Sequence, residues 1–349
     1  MKTKQTISAV ILAASAFLVG CREDYPIVVE ADSFVIRDET EMEIPLESPV
    51  GDNLELGSGA GWISWSMKDS RTVLLEFEPN DNPSGDARET YFYVTDKSAN
   101  VTRRYNFLQK RSARSIMTQL YEIAGGTLWR CTENWLSDKP VHTWQGINGS
   151  DWYDGAYCEN RGYAEEETRI LSLDFAANNM TGDLSEIIDL LVQIEEVEVV
   201  SFWDMRVQSS FFGDTDTGLW NDIHGCLPAS VGRWKNLKKL NLNYLSKVSG
   251  SIPRELFESG KMESFKAVGT CLAGPLPDNW SLCMNLQEFE TTAATPERFR
   301  FMAYGGNTVT VDGVEVYVGA PYIRYWDKGK REWHMEPYTL GQPWVYSEE

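Results

Sequence analysis

The chain has 349 residues, with 42% hydrophobic and 24% charged side chains, and these values are typical of a globular protein rather than a disordered one. A chain of this length holds about one to three domains. Acidic residues outnumber basic ones by 52 to 32, which gives a formal net charge of −20 at pH 7. Because phosphate binding needs clustered Lys and Arg, which this sequence lacks, the charge excludes a nucleic-acid-binding protein.

Residues 1–20 have the composition of a secretory signal sequence, with a basic start and a short apolar stretch that cannot span a bilayer. The stretch ends in Leu18-Val19-Gly20-Cys21, and these four residues resemble the lipobox of bacterial lipoproteins. The resemblance implies cleavage before Cys21, acylation of that cysteine and an acylated tether over residues 21–26. The alternative is an ordinary signal peptide followed by an unmodified cysteine.

The three residues after the cysteine, Arg22-Glu23-Asp24, resemble the surface-export signal of Bacteroidetes lipoproteins. That resemblance implies an outer-membrane protein that faces the cell exterior, whereas a solvated tether is the alternative. An acidic chain is repelled by anionic headgroups, so we expect the lipid anchor alone to hold it at the membrane.

Residues 27–111 contain short alternating strands separated by Pro, Gly and Asn, which predicts a β-sandwich of about seven strands. This region resembles the BACON family of immunoglobulin-like modules. The residues that carry the resemblance are Trp62-Ile63, Phe77, Asn80, Arg88, Tyr91–Val94 and Gln109. The family implies a module that either binds carbohydrate or lifts another domain off the membrane, and we expect the second role, a stalk.

Residues 112–168 begin with a predicted helix, Ser115–Ala124, followed by a tryptophan-rich segment. The segment resembles the amino-terminal cap of plant-type leucine-rich repeat proteins, which covers the apolar edge of the first repeat. Related caps pair cysteines here, so the resemblance implies a disulfide between Cys131 and Cys158, with unpaired thiols as the equal alternative. The remaining cysteines, Cys226, Cys271 and Cys283, are expected to be small buried hydrophobic residues.

Residues 169–299 repeat a pattern of Leu-x-x-Leu-x-Leu-x-x-Asn-x-Leu-x-Gly-x-Ile-Pro. Gly182, Gly225, Gly250 and Gly274 mark the repeats at spacings of 43, 25 and 24 residues. Periods of about 20–29 residues with this pattern predict a short leucine-rich repeat α/β solenoid. The long first spacing predicts an insertion near residues 204–219, within a second repeat that begins Ile194, Val197 and Val199 and resumes at Asn221.

Residues 300–349 are predicted to form a hairpin around Asp312-Gly313 and an aromatic carboxy-terminal cap. The expected fold is therefore multidomain, with an immunoglobulin-like β-sandwich followed by a leucine-rich repeat solenoid that is capped at both ends.

The sequence carries no zinc-ligand spacing, nucleophile elbow, phosphate loop or dinucleotide fingerprint. Asp214-x-Asp216-x-Gly218 begins like a calcium loop, but Gly225 stands where the bidentate Glu belongs. We therefore expect no enzymatic activity, no metal and no cofactor.

In a leucine-rich solenoid the residues between the inward leucines of each strand face the concave side. The ligand-binding candidates chosen from those positions, and from the strand that leads into the insertion, are Glu198, Phe202, Trp203, Asn241, Asn243, Tyr244, Lys266 and Glu290. This mixture of polar and aromatic side chains suits a macromolecule better than a small-molecule pocket. We expect a non-catalytic surface lipoprotein whose repeats bind a protein partner, in adhesion or as a scaffold. The alternative is a glycan-binding protein that assists polysaccharide capture.

Overall fold

The computed structural model describes residues 26–148, 168–203 and 221–291, together with strands between residues 298 and 337. The chain divides into two compact units, Met1–Ser115 and Ile116–Glu349.

The described part of the first unit, from residue 26 onward, contains seven strands in two sheets. The strands are β1 (Ile27–Ile36), β2 (Glu41–Pro45), β3 (Leu54–Ser58), β4 (Ile63–Asp69), β5 (Thr72–Phe77), β6 (Arg88–Asp96) and β7 (Val101–Gln109). One sheet has the order β1-β7-β6-β3 and the other the order β2-β5-β4. β1 runs parallel to β7, and the other pairs are antiparallel. Alternating residues of both sheets form one core, in which Val73, Leu75 and Phe92 are fully buried.

Three of the residues that carry the BACON resemblance, Asn80, Arg88 and Gln109, form a hydrogen-bonded network in the first unit. Nε of Arg88 donates to Oε1 of Gln109 at 2.8 Å, and Nδ2 of Asn80 donates to the carbonyl oxygen of Gln109 at 3.2 Å. The Arg88 guanidinium also lies 4.6 Å from the centre of the Trp62 ring. Trp62 is 8% exposed, so it is a core residue and not a stacking surface for a ligand.

The second unit begins with a tryptophan-rich cap. Helix α1 (Ala113–Ile123) starts two residues before the first residue of the predicted helix, Ser115. The division between the two units falls after Ser115, within this helix. Two short 3₁₀ helices follow at Gly126–Leu128 and Val141–Thr143. The Trp135 ring packs against Trp129 and Trp144, with ring centroids 4.8 and 5.1 Å away, and Trp129 reaches Phe175 of the first repeat at 5.7 Å. The cap therefore covers the apolar edge of the repeats.

Two parallel ladders build the repeats themselves. In chain order the elements are β8 (Ser172–Asp174), β9 (Thr181–Asp183), α2 (Leu184–Leu191), β10 (Val199–Ser201), β11 (Asp222–Cys226), β12 (Lys239–Asn241), β13 (Lys247–Gly250), β14 (Ser264–Ala267), β15 (Cys271–Leu272) and β16 (Glu288–Thr291). The inner ladder has the order β8-β10-β12-β14-β16, and the outer ladder has the order β9-β11-β13-β15. Short 3₁₀ helices at Ala229–Arg233, Arg254–Phe257 and Trp280–Leu282 lie between outer and inner strands of successive repeats. This is a leucine-rich-repeat-type fold.

The inner strands align one fully buried side chain from each repeat in a row. The row consists of Leu173, Val200, Leu240, Phe265 and Phe289, all 0% exposed. The predicted register of the second repeat was therefore wrong by three residues, because its pattern is Val197, Val200 and Phe202, and Val199 points outward. Buried Val192 and Ile194 extend the apolar run upstream of the strand, so the run admits two registers.

The outer strands pair with a stagger of two residues per repeat. Gly182 pairs with Ile223, and Gly225 pairs with Val248. Gly225 has φ +95°, and a Cβ there would lie 2.5 Å from a carboxylate oxygen of Asp183. This turn accordingly requires glycine on both counts.

Buried asparagines connect the first two repeats. Asn221 is 0% exposed, and its Nδ2 donates to the carbonyl oxygens of Phe175 and Phe202 at 2.8 and 3.0 Å. Its Oδ1 accepts from the backbone N–H groups of Asn178 and Met180. In the third and fourth repeats Leu245 and Thr270 replace the asparagine.

Beyond β16 the inner sheet continues with antiparallel strands. They are β17 (Arg298–Tyr304), β20 (Tyr322–Asp327) and β21 (Glu332–Pro337), and a separate hairpin is formed by β18 (Asn307–Val311) and β19 (Val314–Val318). The hairpin was predicted, although its Asp312-Gly313 turn lies outside the described residues.

Replacing Asn221 with Ala is expected to lower the free energy of unfolding by about 3 kcal/mol, because several buried backbone groups lose their partner. Urea unfolding of residues 22–349, followed by tryptophan fluorescence, measures the change. The control is Asn236→Ala, which removes only a side-chain contact with Lys261 and should cost less than about 1 kcal/mol. Equal losses in the two variants would contradict the asparagine's proposed structural role.

Candidate ligand-binding face

The outward side chains of the inner ladder form one face of the sheet, because successive residues of a strand point to opposite sides. We call this face the inner groove, since its central row is buried between more exposed residues. Its floor, which we call the groove floor, is Asp174, Ser201, Asn241 and Lys266, which are 2–8% exposed. Half-buried residues on either side of the floor form two walls. One wall consists of Val199, Lys239 and Glu288, and the other, the aromatic wall, consists of Trp203, Asn243, Tyr244 and Val268.

Charged side chains on this face pair with one another. Nζ of Lys266 lies 2.8 Å from Oε2 of Glu288, and Nζ of Lys238 lies 2.6 Å from Oε2 of Glu198. Ser264 adds a hydrogen bond to Glu288 at 3.1 Å. Because an ammonium group is buried in proteins only with a partner, the Lys266–Glu288 pair makes the buried lysine tolerable.

The aromatic wall contains a strained residue. Tyr244 has φ +66°, and the equivalent positions of the first and fourth repeats are Ala177 at φ +48° and Gly269 at φ +77°. The repeat turn thus imposes a left-handed backbone that favours glycine and disfavours a bulky side chain. A Cβ on Gly269 would lie 2.6 Å from Cδ1 of Tyr244, so the tyrosine ring lies against this glycine.

Most of the predicted ligand-binding residues lie together on the inner face. Asn241 and Lys266 lie on the floor, Trp203, Asn243 and Tyr244 form the aromatic wall, and the half-buried Glu290 continues the floor row on β16. Glu198 lies at the margin, where it pairs with Lys238. Phe202 is a correction: it is 0% exposed and stacks on Phe175 with centroids 6.0 Å apart, so it belongs to the core.

The predicted set omits Ser201, the least exposed residue of the floor. The correct register of the second repeat identifies it, because it aligns Ser201 with Asp174 on one side and Asn241 on the other. A small side chain in a polar position carries no signal of its own, which is why the pattern alone does not single it out.

The cysteines behave differently from one another. Cys283 is buried, and burial raises the pKa of its thiol to about 11, so it acts as a small hydrophobic residue. Cys226 and Cys271 are exposed on the outer ladder, which corrects the expectation that they are buried. Cys131 is buried in the cap, while its predicted partner Cys158 lies outside the described residues, as do Cys21 and the insertion near residues 204–219.

Within the described part of the chain, no group of three or more His, Cys, Asp or Glu side chains is placed to hold a metal ion. None of the helices described there has the length and apolar composition needed to cross a membrane.

No family model and no curated protein matches the chain. Among solved structures, the BIR2 ectodomain from Arabidopsis thaliana is similar, with 16% identity and a TM-score of 0.36 over 50% of this chain and 77% of that one. The Arabidopsis HAESA ectodomain, solved with an IDA peptide hormone ligand, has 18% identity and a TM-score of 0.34 over 52% and 29% of the two chains. The BIR3–SERK2 complex from Arabidopsis thaliana has 21% identity and a TM-score of 0.27 over 48% and 86%. The repeat architecture is established by the two ladders, independently of these similarities.

The strain at Tyr244 predicts that a glycine variant is more stable than an alanine variant at this position, which is the reverse of the usual order. Tyr244→Gly should unfold with about 1 kcal/mol more free energy than Tyr244→Ala, because only glycine relaxes at positive φ. Asn243, whose φ is negative, is the control, and there the alanine variant should be the more stable one. Urea unfolding of the four variants measures both differences. If the alanine variant were the more stable one at Tyr244 as well as at Asn243, Tyr244 would not be strained.

Proposed function

We propose that the second unit, which contains the repeats, is a non-catalytic module that binds a protein partner through its inner groove, in adhesion or as a scaffold. The observation that carries the proposal is Tyr244, a bulky residue at a backbone position that favours glycine. Strain of this kind persists where the rest of the structure enforces it, and it concentrates at functional sites.

The composition of the groove supports a protein partner. Trp and Tyr dominate the energetics of protein interfaces, and Trp203 and Tyr244 are half-buried on one wall. The opposite wall contributes Glu288, which pairs with Lys266 of the floor, and Glu198 at the margin of the face pairs with Lys238. Such pairs of opposite sign favour a specific geometry over general electrostatic attraction.

We further propose that the chain is an exported lipoprotein of the bacterial outer membrane, anchored through Cys21 and facing the cell exterior. Two sequence features support this localisation, namely the lipobox-like Leu18-Val19-Gly20-Cys21 and the acidic residues that follow it. In this arrangement the first unit, an immunoglobulin-like module of the BACON type, is a spacer. The buried position of Trp62, with Arg88 against its ring, supports a structural role for the motif residues.

Photo-cross-linking on intact cells tests the binding face. A benzoylphenylalanine in place of Lys239, on the inner face, should give protein adducts, and the same residue in place of exposed Ser249, on the outer ladder, should not. Adding Trp203→Ala should reduce the adducts at position 239 by about tenfold, as expected when an interface anchor is removed. Equal adducts from the two positions would contradict the proposal.

Metabolic labelling with a fatty-acid analogue tests the anchor. Wild-type protein should incorporate the label and fractionate with the outer membrane, whereas Cys21→Ser should lose both properties, because the chain then lacks an acylation site. The control is Cys226→Ser, which should label like wild type. Labelling of the Cys21→Ser protein would place the lipid elsewhere.

A further inference from the structure

Two neighbouring polar groups on the groove floor have no hydrogen-bond partner among the residues that the structure describes. Ser201 is 2% exposed, and its hydroxyl neither donates to nor accepts from any of those residues. Oδ1 of Asn241 accepts from the backbone N–H of Asn243 at 3.0 Å, while its Nδ2 donates to none of the described residues. The two residues are paired in register on β10 and β12, so their Cα atoms are about 4.8 Å apart.

An unpartnered buried hydroxyl is unusual, since most buried polar groups are hydrogen-bonded. The Ser201 hydroxyl makes no hydrogen bond within the described part of the chain, so the fold described there gains nothing from it that alanine would not supply. The groups that do support the fold in this region are bonded, as Asn221 illustrates. Ser201 and Asn241 together offer a hydroxyl and an amide N–H to a molecule that enters the groove.

The charges around the floor indicate what kind of molecule this is. Lys266 is paired with Glu288, and Glu198 at the margin is paired with Lys238. The floor carboxylate of Asp174 accepts from the backbone N–H of Ala176 at 3.1 Å, and a neutral ligand is not repelled by it. Binding of a charged ligand would have to compete with these ion pairs, whereas an uncharged ligand leaves them intact. The groove therefore favours a neutral ligand that is rich in hydrogen-bonding groups.

The aromatic wall supplies the second half of the recognition. Trp203 follows Ser201 by two residues on the same side of the strand, and the Tyr244 ring lies against Gly269. A sugar ring combines an apolar C–H surface, which packs on aromatic rings, with hydroxyl groups that both donate and accept hydrogen bonds.

We infer that the groove binds an uncharged saccharide, with sugar hydroxyls at Ser201 and Asn241 and the C–H face of the ring against the aromatic wall. The inference rests on the proposed function, which makes the inner groove the binding face, and it specifies the chemistry that the partner presents there. The saccharide is carried by a glycoprotein or is free.

The test uses full-length protein purified in detergent on an array of neutral and acidic oligosaccharides. Ribonuclease B and ribonuclease A, which share a polypeptide and differ by a neutral glycan, distinguish a protein-borne saccharide from a free one. We expect neutral saccharides to bind, and Ser201→Ala to weaken that binding by about tenfold with an unchanged melting temperature. Asn241→Asp, which keeps the acceptor and removes the donor, should have a similar effect. The control Ser249→Ala, on the outer ladder, should bind like wild type.

Failure of the inference differs from failure of the proposed function. The saccharide inference is overturned if no oligosaccharide on the array binds, or if Ser201→Ala leaves the binding of neutral saccharides unchanged. Protein adducts at position 239 would in that case still support a protein-binding groove. Both proposals would be overturned by two results together. The first is protein adducts from position 249 on the outer ladder, and the second is saccharide binding that neither Ser201→Ala nor Asn241→Asp changes.

Discussion

The stability of the repeat array depends on the backbone pairing of short parallel strands, because each strand is too short to bury its apolar side alone. The row from Leu173 to Phe289 becomes a continuous core only when the strands are in register. That same register fixes the opposite side of the sheet, where it sets Ser201 beside Asn241. The core and the candidate binding face are therefore two consequences of one set of hydrogen bonds.

A second constraint comes from the turn after the inner strand in the first, third and fourth repeats, where the backbone is left-handed. The fourth repeat meets it with Gly269, and the first with Ala177, the smallest residue that has a Cβ. The third repeat has Tyr244 instead, and its ring lies against the glycine of the next repeat. A position that favours glycine has thus become a position that displays an aromatic ring, and the function proposed for the groove follows from this departure.

The sequence pattern was sufficient for the elements with strong periodicity and insufficient where the pattern was ambiguous. The repeats with isolated leucines, such as Leu240 and Leu242, have the predicted register. The second repeat does not, because Val192, Ile194 and Val197 form a longer apolar run after α2. The error made Phe202 a surface candidate, whereas the structure buries it. Exposure of Cys226 and Cys271 was also missed, although each directly precedes a buried leucine of the repeat pattern, Leu227 or Leu272, and so stands at a variable position.

The central claim is that the inner groove, rather than another surface, is the binding face. A library of single substitutions across the full chain, displayed on cells, can be sorted separately for folded protein and for binding to a glycoprotein extract. The account predicts that substitutions which lose binding but keep folding cluster at Ser201, Trp203, Asn241 and Tyr244. A cluster on the outer ladder or in the first unit, with these four positions tolerant, would contradict it.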